Sequence, residues 1–378
     1  MRIILISTVR PEPTSGGQIV LHRHLANQQC VAWEVVETMP VRFSRDHVVC
    51  SVVNRLKKTG LHRYACDFQA WREGLWMDGL LPKNVPASER AVVLTVAHED
   101  ACLAARRFAL EHRLPLVTFF HDWWPDMPKV HAPARALLES QFRQLYQDSS
   151  LALCVSEKMK ALLGPHSNAQ VLLPIPSKNG ESAQPFGAEE QPFRVAYFGN
   201  LNDYGPMMGR ALETLKGHAK VRLEVRGPNP EWSVPFQEEM QREGLWHDYA
   251  PLAEVKEWFG KCHAFLVGML FEPEMRRRME TSFPSKMLEM AQHGKPLVIW
   301  GPEYCSAVQW ARQGDRALCI TDPNPAALRQ ALERLAAAPE EQQRLAAAAR
   351  QAAQTDFNPD RIQAQFMEAL QLVAAPAK

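Results

Sequence analysis

Short apolar runs of three to six residues recur along this chain and alternate with longer amphipathic segments. The ten runs are Ile3–Ser7, Ala91–Val96, Leu116–Phe120, Leu151–Val155, Val171–Leu173, Arg194–Phe198, Val221–Arg226, Ala264–Gly268, Pro296–Trp300 and Leu318–Thr321. Apolar strands separated by helical segments are typical of parallel sheets that helices cover on both faces. The pattern therefore predicts an α/β fold built from doubly wound parallel sheets.

The chain of 378 residues is too long for one typical core, and residues 179–192 are rich in turn formers and poor in apolar side chains. We therefore predict a first Rossmann-like domain at 1–178, a linker at 179–192 and a second Rossmann-like domain at 193–358. Two such halves facing one another would leave a cleft at the carboxyl ends of both sheets. An Ala-rich helix is expected at 340–353 and a last amphipathic helix at 360–373 within a tail at 359–378.

Composition narrows the class of protein. A hydrophobic content of 46% and a charged content of 22% are typical of soluble globular proteins, and a net charge of +1 argues against a nucleic-acid binder. The eight cysteines form no Cys-x-x-Cys pair, which indicates a reducing compartment. The apolar start at Met1–Ser7 is too short for a signal peptide, and no run reaches the length of a membrane span. We expect a cytoplasmic protein.

Residues 52–76 combine basic side chains with Leu, Tyr, Phe and Trp. Such a stretch suits a peripheral contact with the inner face of an anionic membrane or with a lipid-linked acceptor. The other interpretation is a solvated helix face, which charge runs more often form.

The most informative segment is 283–296, which reads as a loop, a short helix and a return to a strand. Ser282 is predicted to cap the helix and Gly294 to end it. Ser285 and Lys286 then lie in the first turn, where a hydroxyl, an ammonium and free N–H groups suit a phosphate. Glu289 lies one turn further on the same face, where its carboxylate suits the vicinal hydroxyls of a ribose. The alternative is an ordinary amphipathic surface helix with a polar outer face.

Two constellations in the first half follow predicted strands. Gly16 and Gly17 precede a helix and would let backbone approach a ligand, although a flexible turn explains them equally well. His121 and Asp122 follow an apolar strand. His121 could form a hydrogen bond with a sugar hydroxyl, and Asp122 could orient His121 or act as a general base. Alternatively, the two residues only cap the following turn. Trp123-Trp124 suits stacking on a sugar or plain packing.

Taken in order over nearly the whole chain, these motifs resemble those of the GT-B-fold glycosyltransferases, in particular the retaining enzymes of glycosyltransferase family 4. The matching motifs are Gly16-Gly17, His121-Asp122, Ser156-Glu157, Tyr197-Phe-Gly-Asn-Leu201, Leu223-Glu-Val-Arg-Gly227 and Phe283–Pro296. The resemblance implies two Rossmann-like domains facing a central cleft, with a C-terminal helix that packs back on the first. It implies retaining transfer of a sugar from a nucleoside-diphosphate sugar to a glycan, lipid-linked or small-molecule acceptor.

The resemblance also implies roles for individual residues. The expected catalytic residues are His121, Asp122 and Lys286. The expected donor-binding residues are Gly16, Gly17, Gly199, Asn200, Arg226, Tyr249, Thr281, Ser282, Ser285, Lys286 and Glu289. We expect no metal and no other cofactor, because the chain has no Asp-x-Asp motif and enzymes of this fold stabilise the leaving diphosphate with helix dipoles and cations.

The sequence departs from the family at one glutamate. The family pairs two glutamates eight residues apart, and Thr281 stands where the first of them is expected. Either Thr281 or Glu280 takes that place, so the transferred sugar is left open. The family also has a basic residue after the Gly-Asn-Leu loop, and this sequence has no obvious equivalent of it. Arg210 and Arg226 are the two candidates for that role.

Two other functions stay open. A nucleotide-sugar epimerase of the same fold would place paired carboxylates and a histidine around one sugar, and it would form product without an acceptor. A catalytically silent nucleotide-sugar or glycan-binding protein would explain the missing first glutamate, and it would turn over no donor.

Overall fold

The computed structural model describes residues 1–7, 10–12, 16–26, 32–37, 79–83, 85, 90–126, 132–177, 192–248 and 252–374. The basic-aromatic stretch 52–76, Tyr249 and all of the predicted linker except Pro192 lie outside the described residues. The chain divides into two compact units. The first contains Met1–Ile175, Glu280–Phe283 and Asp360–Lys378, and the second contains Pro176–Met279 and Pro284–Pro359.

The first unit is built on a parallel sheet of six described strands. They are β1 (Arg2–Ser7), β2 (Ala32–Glu37), β3 (Ala91–Val96), β4 (Leu116–Phe120), β5 (Leu151–Cys154) and β6 (Ala169–Val171), in the spatial order β2-β1-β3-β4-β5-β6. The chain order reverses between β1 and β3. In open α/β sheets, ligands bind outside the carboxyl ends of the strands at such a reversal.

Helices pack around this sheet. They are α1 (Gly16–Ala26), α2 (Glu99–His112), α3 (Ala132–Asp148), α4 (Glu157–Leu163) and, from the end of the chain, α13 (Pro359–Ala374). Trp123 is fully buried, packs on Phe142 and donates its indole N–H to Glu139 at 2.7 Å. Of the two interpretations of Trp123-Trp124, the structure therefore supports packing: Trp124, in the short 3-10 helix Trp124–Asp126, is buried as well.

The second unit repeats the design with another six-stranded parallel sheet. Its strands are β7 (Phe193–Phe198), β8 (Val221–Arg226), β9 (Trp246–His247), β10 (Ala264–Gly268), β11 (Leu297–Trp300) and β12 (Leu318–Ile320), in the order β12-β11-β10-β7-β8-β9. Here the chain order reverses between β7 and β10, so the loops that follow these two strands mark the expected ligand edge.

Eight helices accompany the second sheet in the described part of the chain. They are α5 (Gly205–Leu215), α6 (Val234–Arg242), α7 (Leu252–Lys261), α8 (Arg276–Thr281), α9 (Ser285–Ala291), α10 (Ser306–Arg312), α11 (Pro325–Ala336) and α12 (Pro339–Gln354), and the last two residues of α8 already belong to the first unit. A short 3-10 helix, Pro273–Met275, precedes α8. Within the described residues, no helix has both the length and the apolar character needed to cross a membrane.

The predicted fold class is confirmed: both sheets are parallel and doubly wound. All ten predicted strands are present, although β6 lies two residues earlier than predicted. Two strands escaped prediction. In β2 the apolar run is interrupted by Glu34, and β9 is only two residues long. The predicted Ala-rich and last helices are α12 and α13.

Ser156 joins α4 to the returning segment at 280–283. Its hydroxyl oxygen accepts a hydrogen bond from the Met159 N–H at 3.0 Å, which confirms the predicted helix cap. The same hydroxyl donates to the carbonyl oxygen of Thr281 at 2.6 Å. One buried side chain therefore holds both a helix start and a segment that is remote in sequence.

We predict that Ser156→Ala lowers the free energy of unfolding by about 1–2 kcal/mol, because it removes a helix cap and a second hydrogen bond at once. Urea denaturation followed by tryptophan fluorescence measures this change. The control is Ser167→Ala, at an exposed position of the same unit, which should be neutral. Equal stability of the two variants would show that the Ser156 contacts contribute nothing.

Candidate functional site

Two glycines bring the loops after β7 and β8 into direct backbone contact. The N–H of Gly199 donates to the carbonyl oxygen of Arg226 at 2.9 Å. A Cβ placed on Gly227 would lie 1.6 Å from the carbonyl oxygen of Gly199. No other residue type fits Gly227, because the clash would be with backbone. Closely packed main chain therefore joins the loops after β7 and β8, next to the reversal between β7 and β10.

Lys286 covers this edge. A Cβ placed on Gly199 would lie 2.0 Å from the Nζ of Lys286, so the ammonium occupies the space that the glycine leaves open. The same Nζ lies 6.0 Å from the centre of the Phe198 ring. Among the described residues, no carbonyl or carboxylate oxygen accepts a hydrogen bond from it. Burial lowers the pKa of Lys286 from 10.5 to about 8, so the group still carries its charge at neutral pH.

Lys295 shows how the same unit treats a structural lysine. Burial lowers its pKa to about 8 as well. Its ammonium, however, donates to the carbonyl oxygens of Phe259 and Gly260 at 2.6 and 2.7 Å and to that of Cys262. Lys295 thus donates to the last carbonyl groups of α7 and the carbonyl that follows them. Lys286 carries the same charge, but no oxygen among the described residues accepts a hydrogen bond from its ammonium.

Glu289 lies one turn after Lys286 on α9, and its carboxylate contacts a residue that the sequence did not point to. The backbone N–H of Ser177 donates to Oε2 of Glu289 at 2.9 Å, and the Ser177 hydroxyl donates to Oε1. Each carboxylate oxygen therefore receives one hydrogen bond from the same residue. Because 112 positions separate the two residues, no local pattern could have revealed the pair.

Arg226, whose carbonyl oxygen accepts the Gly199 N–H, carries a second cation of this unit. Its guanidinium stacks on the Trp258 ring at 4.6 Å, and its Nε is buried with no hydrogen-bond partner among the described residues. The Trp258 indole is itself fixed by donating to Glu224 at 2.7 Å. Stacking thus orients the arginine, and no carboxylate among the described residues forms an ion pair with it.

Two further predicted donor-binding residues lie at this edge. The Asn200 side chain accepts a hydrogen bond from the Asn202 N–H at 3.2 Å, which shapes the loop after β7. Ser285 is exposed as the first residue of α9.

The predicted cap of α9 is wrong. Pro284, not Ser282, is the N-cap residue, and it makes no side-chain cap hydrogen bond. The Ser282 hydroxyl instead donates to Oδ1 of Asp122 at 2.6 Å within the first unit. A local capping rule failed because a partner 160 positions away takes the hydroxyl. Since α9 has only seven residues, its dipole is small, and the charge of Lys286 is the main attraction for an anion.

In the first unit, His121 and Asp122 follow β4 as predicted. The His121 ring stacks on Phe119 with centroids 5.3 Å apart and an angle of 11° between the rings. Burial lowers the pKa of His121, and the neighbouring Asp122 opposes that shift only in part. His121 is therefore a neutral imidazole whose Nε2 is buried without a partner in the described part of the chain. Thr281 is fully buried beside Ser156.

Sequence reasoning missed a second buried histidine. His24 in α1 is fully buried between Phe119 and Phe366, with ring centroids 5.3 and 4.7 Å away. Burial is the main cause that lowers the pKa of His24 to about 3, and repulsion between the His24 and His121 rings when both are protonated adds to it. In the sequence, His24 is one residue of a helix with apolar periodicity, and this pattern predicts only that the residue packs in the core. Gly16 and Gly17 are the first two residues of this same helix.

Comparison with known proteins shows similarity only at the level of structure. No protein-family model matches the chain, and no curated protein matches its sequence. HepE from Anabaena, solved in complex with UDP-glucose, superimposes with a TM-score of 0.65 at 15% identity over 98% of this chain and 100% of HepE. Sucrose-phosphate synthase from Thermosynechococcus elongatus gives 0.66 at 13% identity over 99% of this chain and 100% of the synthase. A glycosyltransferase from Rickettsia africae gives 0.62 at 12% identity over 100% and 99%. These similarities confirm the predicted GT-B fold.

We predict that Lys286→Met raises the unfolding temperature of the ligand-free protein at pH 7 by roughly 1–3 °C, because it removes a half-buried charge that has no acceptor among the described residues. Lys295→Met is the matched control and should lower that temperature, since three carbonyl groups lose their donor. Differential scanning calorimetry in a phosphate-free buffer measures both. A lower unfolding temperature for Lys286→Met would mean that the ammonium contributes to stability after all.

The difference in stability between the wild type and Lys286→Met should depend on pH, and the direction of the change follows from the pKa of Lys286. The pKa of Lys286 is about 8 in the folded chain and near its ordinary 10.5 in the unfolded chain, so the unfolded chain binds more protons between these values. The stability of the wild type therefore rises with pH in this window relative to Lys286→Met. The advantage of the variant should shrink from pH 8 to pH 10.5, and an advantage that stays constant would contradict the low pKa.

Proposed function

We propose that this chain is a glycosyltransferase that moves a sugar from a nucleoside-diphosphate sugar to a hydroxyl group of an acceptor. The observation that carries the proposal is the Lys286 ammonium, which lies over Gly199 at the reversal edge of the second sheet and has no described protein acceptor. A half-buried cation without a protein partner among the described residues suits an anionic ligand. The similarity to HepE, solved with UDP-glucose, supports a nucleotide sugar as that ligand.

The donor would be held at two points of the second unit. Lys286 and the stacked guanidinium of Arg226 would bind the diphosphate, and Gly199, which has no side chain, leaves the space in which the Lys286 ammonium lies. Glu289 would accept hydrogen bonds from the ribose hydroxyls. The lysine and the glutamate share one face of α9 one turn apart, which matches the neighbouring positions of ribose and diphosphate in one ligand.

The chemistry follows from the charge that develops during transfer. The bond between the anomeric carbon and the diphosphate oxygen breaks, and that oxygen gains negative charge. Lys286 would stabilise this charge, because a cation already in place needs no reorganisation when the charge develops. The acceptor hydroxyl oxygen forms the new bond to the anomeric carbon, and its proton passes to the departing diphosphate oxygen. We further propose that transfer proceeds with retention and without a bound metal ion.

Residues of the first unit would contact the sugars. His121 is held neutral, so it would exchange one neutral hydrogen bond with a sugar hydroxyl and not act as a cation. Asp122 is oriented by the Ser282 hydroxyl. The acceptor would be a glycan, a lipid-linked sugar or a small molecule.

A thermal-shift series with UDP, GDP, ADP and CDP, each with EDTA, tests donor binding. We predict that one of these raises the unfolding temperature of the wild type. Lys286→Met should weaken binding of that nucleotide roughly 10- to 100-fold, because a charge-assisted contact is lost. Lys261→Met, which removes an exposed lysine from the same unit, is the control and should bind like the wild type.

Analysis of the reaction products then distinguishes a glycosyltransferase from an epimerase and from a silent binding protein. Release of nucleoside diphosphate from the cognate nucleotide sugar, stimulated by an acceptor and insensitive to EDTA, is the expected result. A new nucleotide sugar formed without acceptor would identify an epimerase, and binding without turnover would identify a silent binding protein. If none of the four nucleotides binds, the proposal is wrong.

A further inference from the structure

We propose that Ser177 is a positioning residue that orients the Glu289 carboxylate for the two hydroxyls of the donor ribose. This inference rests on the proposed function, and it adds a residue to which neither the sequence motifs nor the resemblance assigns a role. Ser177 lies in the second unit, close to where the chain enters it at Pro176, so it shares the rigid frame of Glu289.

The geometry is that of a two-point hold. The Ser177 N–H donates to Oε2 at 2.9 Å and the Ser177 hydroxyl donates to Oε1, so both oxygens are tied to one residue. The last torsion of a glutamate side chain is broad, and α9 alone does not fix the plane of the carboxylate. Two hydrogen bonds to different oxygens do fix that plane. Orientation is therefore the specific effect of Ser177 on Glu289.

The orientation matters because of what a ribose offers. Its vicinal hydroxyls are two donors at a fixed spacing, and a carboxylate has two oxygens with about four acceptor positions in one plane. The two hydrogen bonds from Ser177 use two of these positions and set the direction of the others. A carboxylate held in this way needs no reorganisation when the ribose arrives, whereas a rotating carboxylate would lose freedom on binding.

Ser177 could instead only attach the entering chain to the second unit. A purely structural role would change the unfolding temperature and would affect all nucleotides equally. A positioning role would act on the ribose hydroxyls alone. The contrast between a ribonucleotide and its 2′-deoxy form separates the two roles, because the two ligands differ only at one hydroxyl.

The experiment measures the dissociation constants of UDP and 2′-deoxy-UDP by calorimetry, and likewise of the GDP, ADP and CDP pairs, for the wild type and three variants. We expect the wild type to bind the ribonucleotide of its cognate pair about tenfold more tightly than the deoxy form. Ser177→Ala keeps the backbone donor and loses the hydroxyl, so the preference should fall to about threefold or less. Ser177→Thr keeps the hydroxyl and should restore it. Ser233→Ala, at an exposed serine of the same unit, is the matched control and should preserve the full preference.

Each outcome decides the inference. A reduced preference in Ser177→Ala with recovery in Ser177→Thr supports it. If Ser177→Ala keeps the wild-type preference, or loses affinity equally for both members of the pair, the positioning role is wrong while the proposed function stands. If the wild type binds both members equally, Glu289 does not read this hydroxyl and the inference is also wrong. If no nucleotide binds, both the inference and the proposed function are wrong.

Discussion

The functional edge of the second unit depends on a positive charge held against a glycine. The Lys286 ammonium fills the space where a side chain on Gly199 would stand, and no oxygen among the described residues compensates it. Partial burial of an uncompensated charge is unfavourable, and it lowers the pKa of Lys286 to about 8. A folded chain keeps such an arrangement where a ligand completes it, which is why the lysine indicates a ligand site more strongly than any other residue.

The surrounding contacts are consistent with this constraint. Gly227 allows the loops after β7 and β8 to touch, which places the Gly199 main chain directly beneath the Lys286 side chain. Arg226 is oriented by stacking on Trp258 and not by a carboxylate, and Glu289 is held through its oxygens by Ser177. The groups expected to meet an anion therefore avoid neutralising partners, and the group expected to meet hydroxyls is fixed in orientation. This is the pattern of a preorganised binding site.

Much of this was predictable from the chain, because some of the relevant signals are local. Apolar runs flanked by helical segments located ten strands, and the four-residue spacing of Ser285 and Glu289 put them on one face of a short helix. Local signals also led to one wrong prediction and missed one contact. Ser282 has the composition of a cap, but Asp122 takes its hydroxyl from 160 positions away, and Ser177 reaches Glu289 across 112 positions. Contacts of that range are set by the packing of the finished fold and leave no periodicity in the sequence.

The most direct test of this account is the pKa of Lys286 itself, with and without a nucleotide. NMR of the protein labelled with 13C-lysine, with the resonance assigned by its absence in Lys286→Met, follows the titration of this one ammonium. The account predicts a pKa near 8 in the ligand-free protein and a rise of at least about one unit when the cognate nucleoside diphosphate binds. A ligand-free pKa near 10.5, or a value that the bound nucleotide leaves unchanged, would contradict it.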